Sequence, residues 1–206
     1  LSRLDKMPTP FIHFHGAVNL NDPLFDLVKP TVSAESTLIA SCSMDQKTTD
    51  KSQFSLLVHQ TLMEFWLGLC QGEALPLTAA LDPFAIRSAL GSVMILEPND
   101  DASDFYFRLY GTRIAEVMGR DFSRTWLSAH PAAPTVVFAQ QYRAAIALRR
   151  CIYSENDAAP NMSYSTRWCR LIMPMADGAG EVNRLFVGNV AVPRERTDIN
   201  TVLPKS

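Results

Sequence analysis

An α+β domain built on a five-stranded antiparallel sheet is what this sequence predicts, and three observations predict it. Strand-like runs fall into two groups, two of them before Gly111 and three after Arg150. Short helical segments and one longer helix lie between the groups. An amphipathic helix precedes them all, beginning near Phe54. Strands split two and three by a helical insert favour an antiparallel sheet with the insert on one face, which leaves the other face for the N-terminal helix.

The chain has 206 residues, 47% hydrophobic and 19% charged, enough to bury a core. A formal charge of −2 offers no general attraction to nucleic acid or to an anionic membrane. Cys42, Cys70, Cys151 and Cys169 are scattered without a C-x-x-C pair, which points to reduced thiols and a cytoplasmic location. No run approaches the roughly 20 apolar residues of a bilayer span.

Residues 1–50 read as a poorly structured leader, because Pro, Ser, Thr, Asn and Asp recur without a sustained period. The chain opens on Leu1 and Met44 stands just ahead of the patterned region, so residues 1–43 fit an artefact of start site or cloning. Residues 51–72 are assigned to the N-terminal helix, with Phe54, Val58, Leu62, Phe65, Trp66 and Leu69 along one stripe and Gly72 as its stop. These six form the expected interface. Asp82-Pro83 supplies a cap and a pre-set first turn for a short helix ending at Gly91.

Val93–Glu97 and Asp104–Tyr110 form a hairpin across Pro98-Asn99-Asp100-Asp101. Gly111 allows a sharp exit into a helix over Thr112–Met118, which Gly119 ends. Pro134 opens a helix to Arg150, with Phe138, Tyr142, Ala145 and Leu148 at helical spacing. Cys151–Glu155, Ser165–Ala176 and Val182–Val192 complete the strands, the last two joined by Asp177-Gly178-Ala179-Gly180. The main domain spans residues 73–193, and 194–206 form a short tail.

The middle of the chain resembles a known family. Phe65-Trp66 with Gly72 and Leu75-Pro76, then Asp82-Pro83, Phe107-Arg108-Leu109, Gly111-Thr112-Arg113-Ile114, Gly119-Arg120-Asp121 and Arg170-Leu171-Ile172-Met173-Pro174 are similar to a bacterial subgroup of PAS domains, over residues 55–193. The resemblance implies a PAS-like sheet cupping short helices, in a sensory or regulatory module of signal transduction whose ligand is commonly unassigned. It also implies that the N-terminal helix packs outside the sheet or against a second subunit. Tyr106, Tyr110, Trp168 and Arg108 are then expected on the face beneath that helix.

Catalytic signatures are sparse. There is no G-x-S-x-G, H-E-x-x-H or Walker A sequence, so no catalytic residue is assigned and the chain is read as non-enzymatic. His13 and His15 share a strand face but lack a nearby third ligand, so no metal is expected. His130 lies in the insert just before Pro131 and reads as a capping or surface residue, not a haem ligand. The insert holds no cysteine between Cys70 and Cys151, which speaks against flavin photochemistry.

A small-molecule cup between sheet and insert would be lined by Phe107, Leu109, Ile114, Met118, Trp126, Phe138 and Met173, with Arg108, Arg113 and Arg120 as polar anchors. The expected partners are a second copy of the chain or a signalling kinase or regulator, and neither nucleic acid nor membrane. The rival is a small enzyme or redox-active protein using the cup, with Cys151 or Cys169 as the thiolate.

Overall fold

The computed structural model describes residues 11–16, 18–19, 21–28, 36–130, 135–158 and 166–193. Its elements run α1 (Leu24–Leu27), β1 (Ser36–Met44), α2 (Leu57–Cys70), β2 (Val93–Pro98), β3 (Phe105–Tyr110), α3 (Thr112–Met118), α4 (Thr135–Leu148), β4 (Cys151–Ala158), β5 (Thr166–Ala176) and β6 (Val182–Pro193). Among the described residues these strands pair antiparallel throughout, in the order β1-β4-β5-β6-β2-β3.

Local chemistry sets the boundaries much as expected. Asp82 accepts from Phe84 N at 2.9 Å and caps a 3-10 turn over Pro83–Ile86 instead of a longer helix. Gly119, at φ 70°, ends α3 by donating to the Ala115 and Glu116 carbonyls. Asp177 Oδ1 accepts from Ala179 N and Glu181 N to close the β5–β6 turn. Gly111 serves a purpose other than a special φ. A Cβ there would meet Gly91 O at 2.3 Å, so only glycine lets these two backbones touch.

Alternation along the central strands builds a core on each side of the sheet. Cys169, Leu171, Met173 and Met175 of β5 join Val93, Tyr153 and Phe186 under α2. Ile172, Ile152, Leu185 and Val187 join α3 and α4 on the insert face. The inward stripe of α2 is His59, Leu62, Met63, Trp66 and Cys70. Of the six residues expected there, Phe54, Leu62 and Trp66 are buried, while Val58, Phe65 and Leu69 flank the contact half-buried. The helix is apolar over most of its circumference, so spacing alone left its rotation ambiguous by about one residue.

Gly188 completes the seat of α2. A Cβ on it would meet Leu62 Cδ1 at 2.5 Å and His59 Cδ2 at 3.2 Å. His59 is fully buried, its ring against Tyr153 at 5.6 Å and beside the Gly188 and Cys169 backbone. Burial, with a smaller push from His13, lowers its pKa from 6.5 to about 3. Between those two pH values the unfolded chain takes up a proton that the folded chain refuses, so stability falls as pH falls. Chemical denaturation at pH 7, 6, 5 and 4 is expected to show a loss of up to about 1.4 kcal/mol per pH unit from this group. His59→Met flattens that slope, and an unchanged slope contradicts the assignment. His130, brought to about 4 by burial and then by the charges of Arg170 and Arg120, adds a residual slope of the same sign.

Tyr106, Tyr110, Trp168 and Arg108 do not lie beneath α2. Tyr110 and Trp168 pack on the insert face, Tyr106 meets Trp126 edge-on with ring centroids 5.3 Å apart, and Arg108 is exposed with Nε 2.8 Å from Glu97 Oε2. A register slip between Ile95 and Leu96 leaves Arg108 unopposed and turns Tyr110 to the face of Phe105 and Phe107, while Trp168 shares the insert face with Ile172 four residues along β5.

The leader, expected to be poorly structured over residues 1–50, is ordered in its described part. It contributes β1 as a sixth strand on the edge of β4, from Ser36↔Ala158 to Met44↔Cys151. Asp22 ties α1 to this strand by accepting from Leu24 N at 2.9 Å, Ser43 Oγ at 2.8 Å and Ser43 N at 2.7 Å. Phe11 and Phe14 lie 5.4 and 5.2 Å from the Tyr153 ring on the α2 face, while Leu24 and Val28 pack on the insert face. The leader therefore clasps both sides of the sheet edge. Residues 1–10 and 29–35 of the leader, the Pro134 helix start and the 194–206 tail lie outside the described residues.

Candidate functional site

The insert face of β4, β5 and β6 carries a row of buried polar residues that spacing arguments missed. Directly paired residues of an antiparallel sheet point to one side, so Ser41↔Ser154↔Arg170↔Asn189 form one row across four strands. Asn156 shares that face two residues along β4. From above, α4 lowers Phe138, Gln141 and Tyr142, and Ser154 Oγ sits 3.4 Å from Gln141 Oε1. Arg170 is 3% exposed, with its guanidinium carbon 3.6 Å from the Phe138 ring centroid and 5.9 Å from that of Tyr142.

This row is rich in unmet hydrogen-bonding capacity. Among the described residues, Arg170 Nε and Nη1, Gln141 Nε2, both Asn156 amide atoms, Asn189 Oδ1 and Ser41 Oγ have no partner. Burial lowers the Arg170 pKa, opposed by Tyr142 and Tyr110, and no carboxylate among the described residues forms an ion pair with it. A guanidinium remains charged nonetheless. An unpaired buried charge costs several kcal/mol in a protein interior, so this arrangement is expensive for a merely structural role.

The expected lining is divided by the sheet. Phe107, Ile114, Met118 and Phe138 belong to the insert-side cluster. Leu109 borders the opposite cluster and Met173 is fully buried in it, because odd positions of β5 face α2. Trp126 is 41% exposed and closes the outer edge of β3. Of the expected anchors, Arg108 pairs with Glu97, Arg113 is exposed above Gly91, and Arg120 is exposed 5.1 Å from the Phe122 ring. None reaches the polar row. His130 stacks on Phe122 at 4.0 Å, half-buried.

Two surface clefts, of about 400 and 150 Å³, open beside Arg150 and Met44 and share no residue with the expected cup. His13 Nδ1 lies 3.1 Å from Ser55 Oγ and His15 is exposed. No group of three or more His, Cys, Asp or Glu among the described residues is placed to hold a metal ion. No helix among them is long and apolar enough to cross a membrane.

All four cysteines are buried and unbridged. Burial pushes Cys42 and Cys169 up to about 12, Cys70 to about 11, and Cys151 well above the ordinary thiol value. A thiolate nucleophile needs the opposite shift. Thiol titration of the native chain near pH 8 is therefore expected to be slow at every cysteine, with all four reacting in denaturant. Rapid reaction of Cys151 or Cys169 in the native state would restore the redox reading.

An antiparallel sheet whose central strands seat a helix on one face and enclose a helical insert on the other defines the architecture of a sensor-type domain. The family model described as a PAS domain matches residues 55–189. The chain belongs to the PAS domain family, and it is thereby a module of sensory or regulatory type. No curated protein matches it. Among solved structures, it is similar to one titled "Structure of an RNA-binding Light-Oxygen-Voltage Receptor", at 22% identity and TM-score 0.38, over 58% of this chain and 36% of that one. It is also similar to a sensory box histidine kinase/response regulator from Burkholderia thailandensis E264, at 16% identity and TM-score 0.36, over 58% of this chain and 90% of that one. The chain thus spans about a third of the first of these.

Proposed function

We propose that the chain is a non-catalytic sensory module that holds a small molecule between its sheet and insert and passes occupancy on through α2. One observation carries this reading: the same two strands form the wall of the polar row and the seat of the helix. On β5, Arg170 and Ile172 face the insert while Leu171 and Met173 face α2. On β6, Asn189 faces the insert while Gly188 underlies His59 and Leu62. A shift of these strands on one face moves the contact on the other.

A ligand alters output only through its different affinity for two docking states, and such couplings are typically about 1–3 kcal/mol. The receiver of that signal is a second copy of the chain or a signalling protein, met through the outer flank of α2, where Leu57 is exposed and Val58 half-exposed. A metabolite library screened by thermal shift, followed by hydrogen exchange of α2 with each hit, tests the reading. The expected result is at least one hit that changes exchange in α2. A library without hits, or hits that leave α2 unchanged, would overturn it.

A further inference from the structure

The register of the sheet places three rows side by side on the insert face. Asn156 and Trp168 form the first, Ser154, Arg170 and Asn189 the second, and Ile152, Ile172 and Val187 the third. Successive rows on one face of a strand are about 7 Å apart. A charged polar strip therefore adjoins an aliphatic one, with Phe138 and Tyr142 above.

Among the described residues, Tyr142 and Tyr110 act electrostatically on Arg170, and burial holds both in the neutral form. His130, coupled to Arg170 as well, is held neutral by burial and by that same positive charge. Water satisfies open N–H groups, but it does not neutralise a buried guanidinium. Phe138 lies against the guanidinium at 3.6 Å, and among the described residues Nε and Nη1 have no hydrogen-bond partner. Gln141 Nε2 and Asn156 Nδ2 add two further open donors beside it.

We infer that this cup binds a small organic monocarboxylate, its carboxylate held by Arg170 with the Gln141 and Asn156 amides and its hydrocarbon part lying along Ile152, Ile172 and Val187. The inference rests on the sensory reading above and names the ligand class for it. The carboxylate supplies the missing negative charge and accepts the open N–H groups. The adjoining aliphatic row favours a short chain or ring over a bare inorganic anion.

The test is thermal unfolding of the full chain with hexanoate, benzoate, phosphate or the neutral hexanamide at about 10 mM, against sodium chloride of equal ionic strength. Hexanoate or benzoate is expected to raise the melting temperature by several degrees, and the chloride and amide controls are not. Arg170→Met abolishes the response and Arg170→Lys retains part of it. Should Arg170→Met fail to fold, Gln141→Leu provides the second arm, expected to weaken carboxylate binding about tenfold through one lost hydrogen bond. A response to phosphate alone overturns the organic-acid assignment. A response to hexanamide but not to the acids overturns the charge assignment while leaving the sensory cup standing. No response to any of the four in the wild type overturns the inference, whereas the sensory reading falls only with the library screen.

Discussion

Trp66→Ala is expected to destabilise the chain by about 3–5 kcal/mol, a large part of the roughly 5–15 kcal/mol that holds a domain folded. Trp66 is 2% exposed at the centre of the α2 contact, and its Nε1 donates to Pro174 O at 3.1 Å. Truncation removes the largest side chain beneath the helix together with its hydrogen bond to the Pro174 carbonyl. The melting temperature is expected to fall by on the order of 10 °C. Trp126→Ala is the control. That ring is 41% exposed and packs against Tyr106 at the β3 edge, so about 1 kcal/mol or less is expected. Equal losses in the two variants would mean that α2 contributes little.

Glu155→Ala is expected to release the leader. Glu155 is fully buried, yet its carboxylate accepts from Ile12 N at 3.0 Å, His13 N at 2.7 Å, Tyr153 OH at 3.2 Å and Arg167 Nη1 at 3.5 Å. Arg167 also makes a two-pronged pair with Asp157, at 2.7 and 3.1 Å. Removing one member of such a buried charged network typically costs about 3–5 kcal/mol, because its partners stay buried with their needs unmet. Limited proteolysis and hydrogen exchange should find residues 11–16 cleaved and exchanging faster in the variant, with α4 still protected. An unchanged leader would show that Phe11 and Phe14 hold it without the carboxylate.

The sequence made the frame of the domain readable where local rules act alone. The starts and ends of β2, β3, α3, β5 and β6 fall within a residue or so of where turn chemistry and apolar runs put them. Two kinds of information were missing. The strand β1 alternates Ser41 and Ser43 against Cys42 and Met44, but small polar residues gave that alternation little contrast, and only the neighbouring edge of β4 makes it a strand.

Facing was the other gap. Both sides of β5 are buried, so its apolar run carries no sign of which residues look toward α2, and Met173 lies on the α2 side and not in the cup. Arg170 stood in view within the Arg170-Leu171-Ile172-Met173-Pro174 segment. A charged residue in a strand ordinarily reads as facing solvent, and only tertiary packing turns this one inward. Gln141 left a fainter trace, as a polar residue one position before Tyr142 and three after Phe138 on the apolar side of α4.

Exchange of the three tryptophan indole protons into D2O, read from nitrogen-15 correlated NMR spectra of the full chain, tests the seating of α2 most directly. One indole signal, identified by its loss in Trp66→Phe, is expected to persist long after that of exposed Trp126 has gone, because its proton is buried against Pro174 O. A Trp66 signal that vanishes as fast as Trp126 would mean that α2 does not seal the sheet, and that the helix cannot report what the other face holds.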